Sequence, residues 1–385
     1  MPPPQDRWAR SLRCSATGVE TELDRPAFLS PAGAPWFVEY DLDSARGMAW
    51  KQALASRPWT LWRYRELLPL SAFEERVDLG EGGTPLVRLR RLCRSGAEVW
   101  LKDESGNPTG SFKARGLSLA VNRAVELGAS GVQLSSAGNA ALALAAYAAA
   151  AGLPCRVALP RDTPEAVIQR CRAYGAEVLV SGGDLVEASR RLAGMGDGYW
   201  DLSTLKEPYR VEGKKTMGFE LAEQFGWDLP EWIVYPTGGG TGIVGMQKAF
   251  DELQALGLIA DRRPRFAAVQ MAGCAPIVRA FRCGADKAEP WRQPRTVVWG
   301  LRVSRALGDF LILRALRQSG GTAVAVEEEA VPRMQRSAAR EEGLLVGPEG
   351  AAALAALPKL EAQGHIRSGQ RVVVFQTGHP SNYGD

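Results

Sequence analysis

Two histidines, His365 and His379, occur in 385 residues, and that scarcity closes off much familiar chemistry. Imidazole is the commonest metal ligand and physiological general base. Ser-His-Asp and Cys-His arrangements therefore have little to be built from, and no Gly-x-Ser-x-Gly elbow accompanies either histidine. The six cysteines (14, 93, 155, 171, 274 and 283) contain no Cys-x-x-Cys pair. Neither a disulfide framework nor a metal site is supported, and no metal is expected. No apolar run approaches a membrane span; the longest candidate, the Ala-rich stretch 140–152, reads as a core helix. The net charge is only +4, with no Lys/Arg block and interleaved aromatics, so neither nucleic acid nor membrane is an expected partner. The opening Met-Pro-Pro-Pro-Gln-Asp-Arg lacks a hydrophobic signal segment, and the expected location is the cytoplasm.

The chain is long enough for a large core and two lobes. Residues 1–85 are rich in Pro, Trp and Arg, with one short strand candidate at Trp36–Tyr40, and read as an N-terminal extension packed on a main body, 86–385. From about residue 97 the pattern becomes strand, glycine-bearing turn and helix, repeatedly. Strands are expected at 97–102, 131–134, 155–159, 176–180, 232–235, 265–270, 322–326 and 371–375. Helices are expected at 114–127, 138–151, 164–173, 184–194, 241–255 and 348–357. Such alternation implies an α/β fold with parallel sheets flanked by helices. A smaller lobe with its own sheet is expected at about 122–215. In open parallel sheets ligands sit at the carboxyl ends of the strands, so the turns there are where chemistry belongs.

Four turns carry it. In Ser105-Gly-Asn-Pro-Thr-Gly-Ser-Phe-Lys-Ala-Arg115, Lys113 falls in the first turn of a helix, where the dipole disfavours a second positive charge. An amine so acidified can be neutral near pH 7 and condense with an aldehyde. Ser135-Ser-Ala-Gly-Asn139 opens a helix with small hydroxyls and free amides, suited to a carboxylate or phosphate, although plain N-capping would use the same residues. Pro236-Thr-Gly-Gly-Gly-Thr-Gly242 follows a strand and lets backbone amides face a phosphate. It also contains Gly240-x-Gly242-x-x-Gly245, the dinucleotide spacing, yet the next strand ends Val269-Gln270-Met271 without the acid that would bind a ribose. Gln376-Thr-Gly378 ends the last strand with a hydroxyl. An amine for an aldehyde, a phosphate cradle, a carboxylate site and a hydroxyl for a ring nitrogen together match pyridoxal phosphate and an amino-acid substrate.

Asn107-Pro-Thr-Gly-Ser-Phe-Lys-Ala-Arg115, Ser136-Ala-Gly-Asn139, Pro236–Gly242 and Thr377-Gly378 resemble the fold-type II pyridoxal-phosphate enzymes, in particular the threonine synthase family. Asp201–Met217, Gly347–Ala352 and the entry segment Leu12–Asp41 share the likeness, which thus covers nearly the whole chain. The resemblance implies a homodimeric lyase converting O-phosphohomoserine and water to threonine and phosphate. It implies Lys113 as the Schiff-base lysine and proton shuttle, and Phe112 before it as a cofactor-binding residue. It implies Asn139 at the cofactor's ring oxygen; Gly238, Gly239, Gly240, Thr241 and Gly242 at its phosphate; and Thr377 at its pyridine nitrogen. Ser135, Ser136 and Ala137 would line the substrate carboxylate. Three departures stand out: Ala140 where members often have Thr, His379-Pro-Ser-Asn-Tyr383 where many carry a Lys-containing segment, and Cys14 alone where some have paired cysteines. The first two lie near the expected substrate, so β-elimination or β-replacement on serine, threonine or an O-activated amino acid stays open. A dinucleotide-dependent oxidoreductase is the reading from another class.

Overall fold

Parallel strands buried on both faces must be apolar throughout, and the segments Cys155-Arg-Val-Ala-Leu159 and Trp232-Ile-Val-Tyr-Pro236 are buried at every residue. The computed structural model describes residues 7–92, 96–136, 138–183, 185–196 and 198–383. In chain order its strands are β1 (Ala9–Cys14), β2 (Glu20–Glu22), β3 (Trp36–Tyr40), β4 (Leu86–Arg88), β5 (Glu98–Asp103), β6 (Val132–Ser135) and β7 (Cys155–Leu159). They continue with β8 (Glu177–Val180), β9 (Trp200–Asp201), β10 (Trp232–Pro236), β11 (Arg265–Met271), β12 (Thr322–Val326) and β13 (Arg371–Gln376).

The strands form three sheets. One is six-stranded, in the order β12-β11-β10-β13-β5-β4, parallel except for the edge strand β4. A second, β8-β7-β6-β9, is wholly parallel. This is the α/β architecture of two open parallel sheets expected of a fold-type II enzyme. The third sheet, β2-β1-β3, is antiparallel. Its inward residues Leu12, Trp36 and Val38 join one buried apolar cluster with Val121 and the alanines of the helix Asn139–Ala150. Among the described residues, no helix is long and apolar enough to cross a membrane.

Most expected elements fall within one or two residues of the observed ones, and Thr241–Ala255 coincides at both ends. Several helices have no counterpart in the sequence reading, among them Pro276–Arg282, Asp309–Gln318, Ala330–Ser337 and, nearest the site, Tyr209–Gln224. Tyr209–Gln224 is buried from Tyr209 to Ala222, with Arg210, Glu212, Lys214, Lys215 and Glu220 all inside. Its charged residues occupy positions that a periodicity argument assigns to solvent. They are internal because each meets a partner or a cavity contributed by distant chain.

Glu220 shows how. It holds Arg115 Nη1 at 2.6 Å and Lys102 Nζ at 2.8 Å, while Glu104 holds Arg115 Nε at 2.6 Å; all four side chains are fully buried. Two acids and two bases balance. Although burial alone would raise the Glu220 carboxyl, Arg115 and Lys102 hold it far below the ordinary carboxylate range. The quartet ties β5, the Lys113 helix (Lys113–Glu126) and the 209–224 helix together. Removing one member of a buried network strands the remaining charges. Glu220→Gln should therefore lower the urea midpoint by an amount corresponding to about 3 kcal/mol or more. Glu98→Gln, which breaks the exposed Arg88–Glu98 pair, should leave the midpoint unchanged.

Candidate active site

The ends of three neighbouring strands of the large sheet converge. β10 runs into Thr237-Gly-Gly-Gly-Thr-Gly242, and β13 runs into Thr377-Gly378. β5 leads through the turns at 104–110 to Phe112 and Lys113. The last two are joined directly: Phe112 N–H donates to the Thr377 carbonyl (3.1 Å), and His379 N–H to that of Gly110 (2.7 Å). From the small sheet, β6 delivers Ser135, Ser136 and Asn139. Together these residues line a cavity of about 960 Å³, near the upper end of the roughly 300–1,000 Å³ usual for ligand sites. Every expected site residue among those described lies on its wall: Phe112, Lys113, Ser135, Ser136, Asn139, Gly238, Gly239, Gly240, Thr241, Gly242 and Thr377. Ala137 lies outside the described residues.

Lys113 is the first residue of its helix, and Phe112 caps the end without a side-chain hydrogen bond. Its amine, 4.4 Å from the centre of the Phe112 ring, is lowered to about 7. Enclosure is the largest cause, followed by the Arg210 guanidinium, with Glu349 opposing. The low proton affinity expected of Lys113 thus arises mainly from desolvation and a neighbouring cation rather than the helix terminus invoked from sequence.

The glycine turn is shaped by its surroundings. Gly240 has φ +71, and a Cβ there would overlap Ile312. A Cβ on Gly242 would overlap the Tyr235 hydroxyl, which is buried and has no hydrogen-bond partner. At Gly240 and Gly242 the loop can therefore present only backbone, at the start of a fifteen-residue helix. Gly245, the third glycine of the dinucleotide spacing, faces Lys214 and Lys215 of the 209–224 helix, so it serves helix packing. Opposite, Asn139 Nδ2 donates to the Tyr383 hydroxyl (2.8 Å), and its Oδ1 accepts from Asn382 Nδ2 (2.9 Å).

Three cavity residues had no role in the sequence reading. Arg210 is buried, donates from Nη1 to the Leu202 carbonyl (2.6 Å), and leaves Nε and Nη2 unpartnered. Burial pushes the nearby Glu207 carboxyl up to about 7, against the pull of Arg210 and two backbone amides. Glu349 accepts from Gly300 N–H (2.9 Å) and is raised by burial. Tyr383 belongs to the C-terminal segment noted from sequence only as a departure. Across the mouth, Arg302 meets Asp162 at 2.8 Å, joining a loop near the large sheet to the turn after β7.

Residues 77–378 match the family model described as pyridoxal-phosphate dependent enzyme. The chain is 35% identical over 373 residues to the threonine synthase of Methanocaldococcus jannaschii, covering 95% of this chain and 91% of that one. It is 36% identical to the threonine synthase of Methanosarcina acetivorans, covering 96% and 91%. Among solved structures, a fungal L-serine ammonia-lyase from Rhizomucor miehei superposes with a TM-score of 0.66 at 22% identity, over 78% of this chain and 94% of the other. The chain belongs to the threonine synthase family of pyridoxal-phosphate-dependent enzymes.

As a family member the chain is a lyase that uses pyridoxal 5'-phosphate. Its own residues fit that cofactor. The cradle has no room for a side chain at Gly238, Gly240 or Gly242, an enclosed amine of lowered proton affinity lines the same cavity, and Thr377 closes the end of β13. Only the deprotonated amine attacks an aldehyde. Protein stripped of cofactor should therefore take up pyridoxal phosphate at a rate that rises with pH through a midpoint of about 7. The violet absorbance band of the bound cofactor should be absent in Lys113→Ala. A midpoint near that of an ordinary lysine would overturn the assignment.

Proposed function

We propose that this enzyme converts O-phosphohomoserine and water to threonine and phosphate. The observation that carries the reading is Arg210, a buried guanidinium on the cavity wall with two unpartnered nitrogens. Among the described residues no carboxylate lies within ion-pair distance of it; Nη1 is spent on a carbonyl, while the Nε and Nη2 edges remain. Paired donors in that fixed geometry suit a phosphate, and a substrate bearing a phosphate on Cγ supplies one. Serine and threonine carry no anionic group beyond the α-carboxylate, for which Ser135 and Ser136 are available. The similarity to two proteins named threonine synthase supports threonine as the product.

In this reading Gly238, Gly239, Gly240, Thr241 and Gly242 hold the cofactor phosphate, Asn139 its ring oxygen and Thr377 its pyridine nitrogen. When bound, the cofactor supplies an electron sink that makes the substrate α-carbon acidic. Lys113 Nζ then takes the proton from Cα and one from Cβ, returns one at Cγ as the Cγ–O bond to phosphate breaks, and returns one at Cα as water adds its hydroxyl to Cβ, the remaining proton of that water leaving with the phosphate. A single enclosed amine can serve these positions because its proton affinity is matched to neutral pH. Ser135, Ser136 and Ala137 orient the substrate carboxylate, so that Cα faces Lys113. Arg210 holds the phosphate as it departs.

The test is a substrate panel on the wild type and Arg210→Met. Wild-type enzyme should release equal amounts of phosphate and threonine from O-phosphohomoserine. Arg210→Met should lose about 100-fold in kcat/KM for that substrate while keeping the cofactor absorbance band. Absence of threonine, together with 2-oxo acid from serine or threonine that Arg210→Met does not slow, would overturn the reading in favour of β-elimination.

A further inference from the structure

Among the described residues, the other lysines buried as deeply as Lys214 are paired with carboxylates. Lys102 meets Glu220 at 2.8 Å; Lys215 meets Glu212 at 2.6 Å and Glu252 at 2.9 Å. Lys214 is as fully buried as either, yet no carboxylate among the described residues lies within ion-pair distance. Its one hydrogen bond from Nζ goes to the Thr241 hydroxyl, at 2.6 Å. Thr241 is the first residue of the helix that the glycine turn opens, and it lines the cavity. The amine also lies 4.6 Å from the centre of the Phe112 ring, against which Lys113 packs as well.

We propose that Lys214 is the fixed counter-charge of the cofactor phosphate, placed behind the glycine cradle and acting together with the Thr241 hydroxyl. The inference rests on the placement of that phosphate at residues 238–242.

Three arguments converge on it. First, a buried ammonium with no anion is costly, and folding retains it only where something compensates. The neighbouring ionisable groups do not supply that. Burial, and then the like charges of Lys113 and Arg210, push the Lys214 amine well below its ordinary value, with Glu207 opposing. A dianionic phosphate at the helix start would reverse that effect. Second, the position is built. The Lys214 stem crosses Gly116 of the Lys113 helix, where a Cβ would lie 3.1 Å from its Cε, and Gly245 faces the Lys214 backbone. Gly116 leaves room for the side chain, and Gly245 lets the helix that begins at Thr241 approach the Lys214 backbone. Third, an ammonium has three donors, and the hydroxyl takes one. Two remain at the foot of the cradle, where a helix terminus already favours negative charge.

The two uncompensated cations then divide between two anions: Lys214 serves the cofactor phosphate and Arg210 the substrate phosphate.

The decisive measurement compares pyridoxal phosphate with pyridoxal, which lacks the phosphate, as ligands of cofactor-stripped protein. Dissociation constants are read by absorbance for the wild type, Lys214→Met and Gly239→Ala. The alanine methyl at 239 would sit 3.1 Å from Thr204 Cγ2, in the cradle itself. Lys214→Met should weaken pyridoxal phosphate about 30-fold and pyridoxal less than about twofold. The melting temperature without cofactor should stay level or rise, because an unpaired buried charge is gone. A merely structural lysine would show the opposite pattern, with lower stability and equal effects on both ligands. If Gly239→Ala lowers the preference for the phosphorylated ligand and Lys214→Met does not, Lys214 has no such role. If neither lowers it, the phosphate lies elsewhere and both assignments fall. Should Lys214→Met not fold, Lys214→Gln is judged by the same ratio, with a drop of about tenfold expected for loss of the charge alone.

Discussion

The arrangement of this site depends on the buried quartet Lys102–Glu220–Arg115–Glu104. Arg115 stands two residues from Lys113, and its guanidinium is held on two sides by carboxylates from β5's exit and from the 209–224 helix. That clamp sets the rotation of the Lys113 helix, and therefore where the amine points. It also fixes the 209–224 helix, so that Arg210 and Lys214, one turn apart, come to the cavity and the cradle. Hydrophobic burial alone would not specify such a rotation: the Lys113 helix is buried from Ala114 through Ala124 and could slide with little penalty. Charges that must meet at hydrogen-bond distance leave one register.

The turns were legible in the sequence because their signals are local. A glycine run after an apolar strand, a Lys after Gly-Ser-Phe and a Thr-Gly at a strand end each depend on a few consecutive residues, and all proved to open on one cavity. The parallel strands were legible for the same reason. What escaped was the 209–224 helix and its Arg210 and Lys214. Glu-Gly-Lys-Lys within Tyr209–Gln224 looks like solvated surface, because sequence alone does not reveal that Glu252, Thr241 and Lys102 arrive from elsewhere. Thr241, Glu252 and Lys102 lie 27, 37 and 118 positions from the residues they meet.

Lys113 illustrates a subtler gap. Its depressed proton affinity was expected from the helix terminus, a feature visible in sequence, and the direction is right. The weight lies instead with enclosure and with Arg210, which is a tertiary neighbour almost a hundred residues later. A residue's identity can be read locally, whereas the electrostatic tuning that makes it reactive is a property of the assembled cavity.

The two parallel sheets divide the site between them. Residues proposed to hold the cofactor come mainly from the ends of β5, β10 and β13 of the six-stranded sheet; those proposed to face the substrate carboxylate come from the end of β6 in the other. Direct links between them include Asn139 with Asn382 and Tyr383, and Arg302 with Asp162. Selectivity and reactivity can consequently drift apart over evolutionary time. Substitutions in one module alter which amino acid is accepted without dismantling the electron sink in the other. A scaffold partitioned in this way is free to acquire new substrates while its costliest component, the enclosed amine and its network, stays untouched.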